Sequence, residues 1–165
     1  MSMNSAGILP VIFEKDKTYI LLGQESNGSW SGFAGSQDGD ETPQETAFRE
    51  FHEETAGIFD KVDYKFMMQN CFHVFNTKTP SNKMFVMYSV DFSKLDTSNT
   101  SLQFQFALKN TTNVYQREKT TIQWVEISNI FRRKLRHSFY KDIEKLLKAI
   151  KAHKNESIIN DLQIK

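Results

Sequence analysis

The sequence predicts an α+β fold, an α/β/α sandwich in which a mixed β-sheet lies between helices. Three observations carry that expectation. Short apolar runs with strand character recur along the chain, at 7–13, 18–22, 83–92 and 120–126. Two helical patterns interrupt them, an acidic one from Pro43 and an amphipathic basic one after Ser138. The run Lys83–Phe92, KMFVMYSVDF, is apolar on both faces, as a central strand covered on both sides would be.

The elements follow in order. Gly7–Phe13 reads as a first strand, with Pro10 suggesting a sheet edge or a bulge. Glu14–Lys17 is a turn, and Thr18–Leu22 completes a hairpin. Gly23–Ser31 is a polar loop carrying Trp30, which leads through Phe33 to Gly35. Thr42-Pro43-Gln44-Glu45 is a capping box with proline at the first helical position. Ala47, Phe48 and Phe51 give that helix an apolar side, and Gly57 suits the left-handed residue that ends it, for a span from Pro43 to Thr55 or Ala56. Lys65–Phe75 and Lys83–Phe92 read as strands around the turn Asn76–Asn82. In Asn99–Asn110 the apolar residues alternate with period two, yet a short helix fits as well, and periodicity leaves both open. Thr120–Glu126 is a strand containing Trp124. Ser138 suits the N-cap of a final helix with Phe139, Ile143, Leu146, Leu147 and Ile150 on one face, and the tail after Lys154 is expected to fray. Residues 1–165 read as a single domain.

Composition narrows the function classes. A net charge of +1 creates no global field toward nucleic acid or anionic membranes. No stretch approaches the roughly 18 apolar residues of a membrane span, and the start MSMNSAGILPVIF lacks the parts of a signal peptide. With Cys71 as the single cysteine, no intramolecular disulfide can form, which fits a reducing, cytoplasmic setting. The 14 Phe, 5 Tyr and 2 Trp point to a core rich in phenylalanine.

The chemistry concentrates in Gly35–Gly57, GSQDGDETPQETAFREFHEETAG. Residues three and four apart are neighbours on a helix, so Glu50, Glu53 and Glu54 share one face, with Arg49 beside them and Glu41 just before the helix. Three like charges repel, and in the C-terminal half of a helix the macrodipole disfavours them further. An unfavourable cluster of this kind is kept where something cationic binds. Clustered carboxylates without a His/Cys set suit a hard divalent cation such as Mg²⁺ rather than zinc. The reaction this allows is metal-assisted hydrolysis of a phosphoanhydride.

The pattern Gly35-x5-Glu41-x7-Arg49-Glu50-Phe51-x-Glu53-Glu54 resembles the Nudix box, Gly-x5-Glu-x7-Arg-Glu-apolar-x-Glu-Glu-x-Gly-apolar. It departs at the end, where Ala56 replaces the glycine and Gly57 fills the next position, which suggests a helix stop moved by one residue. The preceding Trp30-Ser-Gly-Phe33-Ala-Gly35 is similar to the run that opens the family's motif. The resemblance implies hydrolysis of a nucleoside diphosphate linked to another moiety, with Mg²⁺ or Mn²⁺. It implies Glu50, Glu53 and Glu54 as metal ligands, Gly35 as a backbone ligand and Arg49 as the residue orienting a glutamate. Glu41 is then an outer acid, and Glu53 or Glu50 the general base. Many members carry an acid before the strand with a Trp-Val pair, which makes Glu118, ahead of Trp124-Val125, a further metal candidate. Trp30, Phe33 and Tyr115 are candidates for stacking on a base. Homodimers are common in the family.

Other polar residues have plainer readings. His52 is expected to face solvent and His73 to lie on a sheet face. Arg132, Arg133, Lys134, Arg136, Lys141, Lys145, Lys148 and Lys151 make Phe131–Lys154 basic. This is the solvated face of a helix, or else a track for RNA phosphates, which would suit mRNA cap hydrolysis. The remaining alternative is a Nudix-like binding module without catalysis, against which the intact Arg49, Glu50, Glu53 and Glu54 argue.

Overall fold

The computed structural model describes residues 4–112 and 118–164. Its strands are β1 (Ser5–Phe13), β2 (Thr18–Glu25), β3 (Trp30–Ser31), β4 (Phe33–Ser36), β5 (Cys71–Lys78), β6 (Met84–Asp91) and β7 (Lys119–Glu126). Its α-helices are α1 (Pro43–Glu54), α2 (Tyr64–Asn70), α3 (Thr100–Asn110) and α4 (His137–Ile164), with a 3-10 helix at Ile127–Arg132.

All seven strands form one mixed sheet. β6, apolar on both faces, lies inside it, parallel to β1 and antiparallel to β5. The β1–β2 hairpin closes with Glu14 N–H donating to the Lys17 carbonyl at 2.9 Å. Its ladder is short, from Val11↔Ile20 to Phe13↔Thr18. Beyond it the two strands part like a fork. β1 takes β4 as its antiparallel neighbour, from Ile8↔Phe33 to Ser5↔Ser36. β2 takes β3 on that side and β7 on the other. The proline in β1 therefore does not mark a sheet edge. Pro10 lies between the last pairing with β4 and the first with β2, where β1 has no antiparallel partner and a missing N–H costs little. Close approach explains Gly7, since a Cβ there would collide with the Phe33 carbonyl and Ala34.

Alternation along β1 divides the interior. Ala6 and Ile8 join Phe33, Phe51 and Ala47 of α1, Met67 of α2 and Phe104 of α3 on one face. Leu9 and Val11 join Phe139, Ile143, Leu146 and Ile150 of α4 on the other. Each large apolar side chain so covered contributes about 1.5–3 kcal/mol. Helices on both sides of a mixed sheet give the expected α/β/α sandwich.

Several elements differ from the sequence reading. The polar loop expected over Gly23–Ser31 contains the end of β2, which runs to Glu25, and β3 at Trp30–Ser31. Ser138 does not cap the final helix, because α4 begins at His137. The strand expected over Lys65–Phe75 begins only at Cys71, and the residues before it form α2. Asp63 starts that helix, its Oδ1 accepting from the Phe66 N–H at 2.7 Å. The open choice at Asn99–Asn110 resolves to a helix, in which Phe104 is buried while Leu102 and Phe106 point to solvent. Polar bonds fasten α3 to β7: Trp124 Nε1 donates to Thr100 Oγ1 at 3.1 Å, and Ser101 Oγ donates to the Ile122 carbonyl at 2.7 Å. Finally, α4 continues beyond Lys154 to Ile164, with residues 155–163 exposed. Among the described residues no helix is long and apolar enough to cross a membrane.

Candidate active site

Helix α1 is fixed at both ends by local chemistry. The Glu45 N–H donates to Thr42 Oγ1 at 3.2 Å and the Thr42 N–H to Glu45 Oε1 at 3.4 Å, which is the capping box. At the other end the Gly57 N–H reaches the His52 carbonyl at 2.9 Å and the Ala56 N–H reaches that of Glu53 at 3.2 Å. This pair of bonds is a Schellman motif with Ala56 in the left-handed position at φ 55°. The helix stop is thus not displaced. Ala56 adopts the conformation that glycine adopts more cheaply, and Gly57 follows it at φ 69°. Phe51 sets the rotation of the helix, packing edge-on against Phe33 and Phe92 and stacking on Phe59 at 5.3 Å.

That docking brings the acids to the end of β4, where Arg49 gathers them. Its Nε and one terminal nitrogen grip Glu41 as a fork, at 2.8 and 2.9 Å. Its other terminal nitrogen donates to Glu50 at 2.9 Å and to Glu53 at 3.4 Å. The Ser36 carbonyl accepts a further bond at 2.9 Å. The Arg49 guanidinium holds the Glu41 carboxyl below the usual carboxylate range, helped by the Asp38 N–H. Burial pushes Glu50 up against the pull of Arg49. The two carboxylates differ in freedom: the Glu50 side chain is 12% exposed, that of Glu53 29%. Gly35 explains where Glu50 rests, because a Cβ at that position would collide with the Glu50 carboxylate.

Gly35, Ser36, Gln37, Asp38, Arg49, Glu50, Glu53 and Glu118 line one cavity of about 530 Å³. Glu118 thus joins the motif acids, although the sequence offered no fixed spacing for it. Glu54 lies behind them, 4% exposed. Burial pushes its carboxyl well up; Lys119 opposes the shift, and Glu50 and Glu118 add to it. Its Oε2 is buried without a hydrogen-bond partner. Lys119, which the sequence reading missed, is 2% exposed. Its Nζ donates to Ser31 Oγ at 2.8 Å and lies 3.6 Å from Glu25. A lysine opening a strand beside Glu118 carries no sequence signal of burial.

The aromatic candidates divide. Phe33 is fully buried in the core, under Lys119 and against Phe51. Trp30 packs on the α4 side with the Arg133 guanidinium 5.0 Å from its ring. Neither lines this cavity or the larger one described next. Tyr115 lies outside the described residues. His52 does not face solvent. Its Nε2 lies 2.7 Å from the Val62 carbonyl, its ring meets Phe48 and Phe51, and burial lowers its pKa. His73 lies on β5, as expected. Part of the basic run is committed internally: Arg133 donates to Gln123 at 2.7 Å and Arg136 to Glu25 at 3.2 Å.

The larger cavity, about 690 Å³, lies between the β5–β6 turn and the first turns of α4. Gly35 and Ser36 line both cavities, which therefore meet around the end of β4.

The donor chemistry fits a hard divalent ion. Every side-chain donor in the acidic cavity is a carboxylate or amide oxygen, apart from Arg49 and Ser36, and Glu54 carries an unpartnered buried oxygen beside it. Among the described residues no three acids, histidines or cysteines converge as a ready cage, because Glu41, Glu50 and Glu53 all turn toward Arg49.

A family model described as the NUDIX domain matches residues 1–148. The chain belongs to the Nudix family. Solved Nudix structures share its fold at low identity. The Ap4A hydrolase of C. elegans, in a binary complex, superposes with a TM-score of 0.61 over 94% of this chain and 99% of its own, at 16% identity. The NUDIX domain of Shewanella oneidensis NrtR, complexed with ADP ribose, gives 0.58 over 91% and 89%, at 14% identity. A bifunctional NMN adenylyltransferase/ADP ribose pyrophosphatase from Francisella tularensis, complexed with AMP and a Mn ion, gives 0.63 over 90% of this chain at 14% identity. The Nudix chain spans only 42% of that protein. No curated protein matches it by sequence.

Proposed function

We propose that the chain hydrolyses the diphosphate linkage of a nucleoside diphosphate derivative, using Mg²⁺ or Mn²⁺ held by Glu50, Glu53, Glu54 and Glu118 with the Gly35 backbone. The supporting observation is the cavity lined by Glu118 together with Glu50 and Glu53, which Arg49 gathers, with Gly35 leaving room for the Glu50 carboxylate. A divalent ion there supplies charge neutralisation for the diphosphate and Lewis acidity toward water. Water attacks one phosphorus, the bridging P–O bond breaks, and each product leaves with a phosphate end. Glu53 takes the proton of the attacking water. It is the freer of the two candidate bases, tied to Arg49 by one contact of 3.4 Å, whereas Arg49 holds Glu50 at 2.9 Å with its carboxylate in the space a Cβ on Gly35 would take. Arg49 positions the acids, and Glu41 and the Ser36 carbonyl position Arg49.

Nucleotide substrates accord with the neighbours complexed with ADP ribose and AMP. The test is a panel of nucleoside diphosphate derivatives with Mg²⁺ and with Mn²⁺, beside Glu53→Gln. The expected loss in kcat is about 10²–10⁴-fold, the usual contribution of a general base. Turnover that survives the substitution, or that survives chelation of the metal, contradicts the reading.

A further inference from the structure

The second cavity is charged in a way the acidic one is not. Lys78 closes it from the end of β5, Arg136 and Lys141 flank it at the start of α4, and the buried Lys119 lies on its inner wall. Asp142 is the acid among its described lining residues; burial pushes its carboxyl up, while Lys145 and Lys141 pull it down. The N-terminal end of α4, carrying His137, Ser138 and Phe139, also borders it, and the positive end of a helix dipole favours anions. The apolar part is the floor, made by Phe85, Met87 and Leu146. Gly35 and Ser36 line both cavities, which places this one next to a substrate cleaved beside Glu53.

We infer that this cavity takes an anionic group, and that the preferred substrate carries at least one phosphate beyond the scissile diphosphate. Glu25 already pairs with Lys119 and Arg136, so a neutral sugar would leave Lys78 and Lys141 with Asp142 as the counter-charge in the described lining, at a cost in affinity. A further phosphate neutralises them and gains charge-assisted hydrogen bonds. The inference rests on the hydrolase reading above and names its substrate class. The extra phosphate has two possible sources, a longer phosphate chain or a phosphorylated terminal group.

The experiment compares kcat/KM for ADP-ribose, ADP-ribose phosphorylated on its terminal ribose, and diadenosine tetraphosphate, with Mn²⁺. The panel is repeated with Lys78→Gln and Lys141→Gln, both exposed positions whose loss leaves the core intact. One or both of the more highly phosphorylated substrates should exceed ADP-ribose by about tenfold or more, the worth of one well-placed charge pair. The better one identifies the source. Each variant should lower that preference by about threefold or more while leaving ADP-ribose turnover within about twofold, and added salt should erode the preference. Equal or better turnover of ADP-ribose, or variants that slow all three substrates alike, overturns the inference while the hydrolase reading stands. If none of the panel is cleaved, the hydrolase reading itself has failed.

Discussion

Arg49 and Ala56 show how much single residues decide. Arg49 serves three carboxylates and a carbonyl at once, which needs the planar fork of a guanidinium and not the point charge of a lysine. Its contact with Glu53 was legible in the sequence because an i,i+4 helical spacing places the two within reach, whereas Glu50 at i+1 meets it only through the fold. Ala56 was legible only as an oddity. It holds a left-handed backbone in which its Cβ is strained, so Ala56→Gly should stabilise the protein by about 1 kcal/mol, read as a higher denaturant midpoint at unchanged slope. An unchanged or lowered midpoint would show that the alanine carries no strain. His52 gives a pH prediction. Burial lowers its folded-state pKa, so the folded protein binds the proton less readily than the unfolded chain. The stability this neutral histidine contributes is full above the unfolded value of about 6.5 and is lost as pH falls from there through the folded pKa. Thermal midpoints taken between pH 7.5 and 5 should therefore fall less steeply in His52→Gln than in the parent. Identical slopes would remove His52 from the account.

At the scale of elements, α1 was readable because both of its ends are written in adjacent residues. Thr42 and Glu45 close one end, and the Ala56–Gly57 pair closes the other. α2 was not readable in the same way. Its seven residues are too few for periodicity, and only the Asp63 cap announces it. α3 shows tertiary override, because its alternating apolar residues suit a strand while its bonds to β7 and buried Phe104 require a helix. The energetics of α1 rest on Phe51, which is fully buried and touches Phe33, Phe59 and Phe92. Phe51→Ala should cost about 3–5 kcal/mol in chemical denaturation. Because the same ring sets the rotation of the helix, the variant should also lower kcat at temperatures where it remains folded. A loss of stability with full activity would separate packing from positioning.

For the whole molecule, the acidic cavity sets native stability against binding. Glu50, Glu53, Glu54 and Glu118 are brought close only in the folded chain, so a cation that binds them stabilises that state alone. Mn²⁺ at about 100 times its dissociation constant should add roughly 2.7 kcal/mol, seen as a rise in calorimetric midpoint over a chelated sample. Glu50→Gln should shrink that rise, and an unshifted midpoint in the parent would argue against an ion at these acids. The motif half of this site was legible because its residues are local in sequence. The basic cavity was not, since it draws Lys78, Lys119 and Lys141 from three distant segments that only the sheet brings together. The fork between β1 and β2 reaches both cavities. One prong carries β4 and Gly35 to the hydrolytic acids, and the other carries β3, whose Ser31 accepts from Lys119. Residues of both prongs thus border the basic cavity, so the strand that carries Gly35 shapes both recesses.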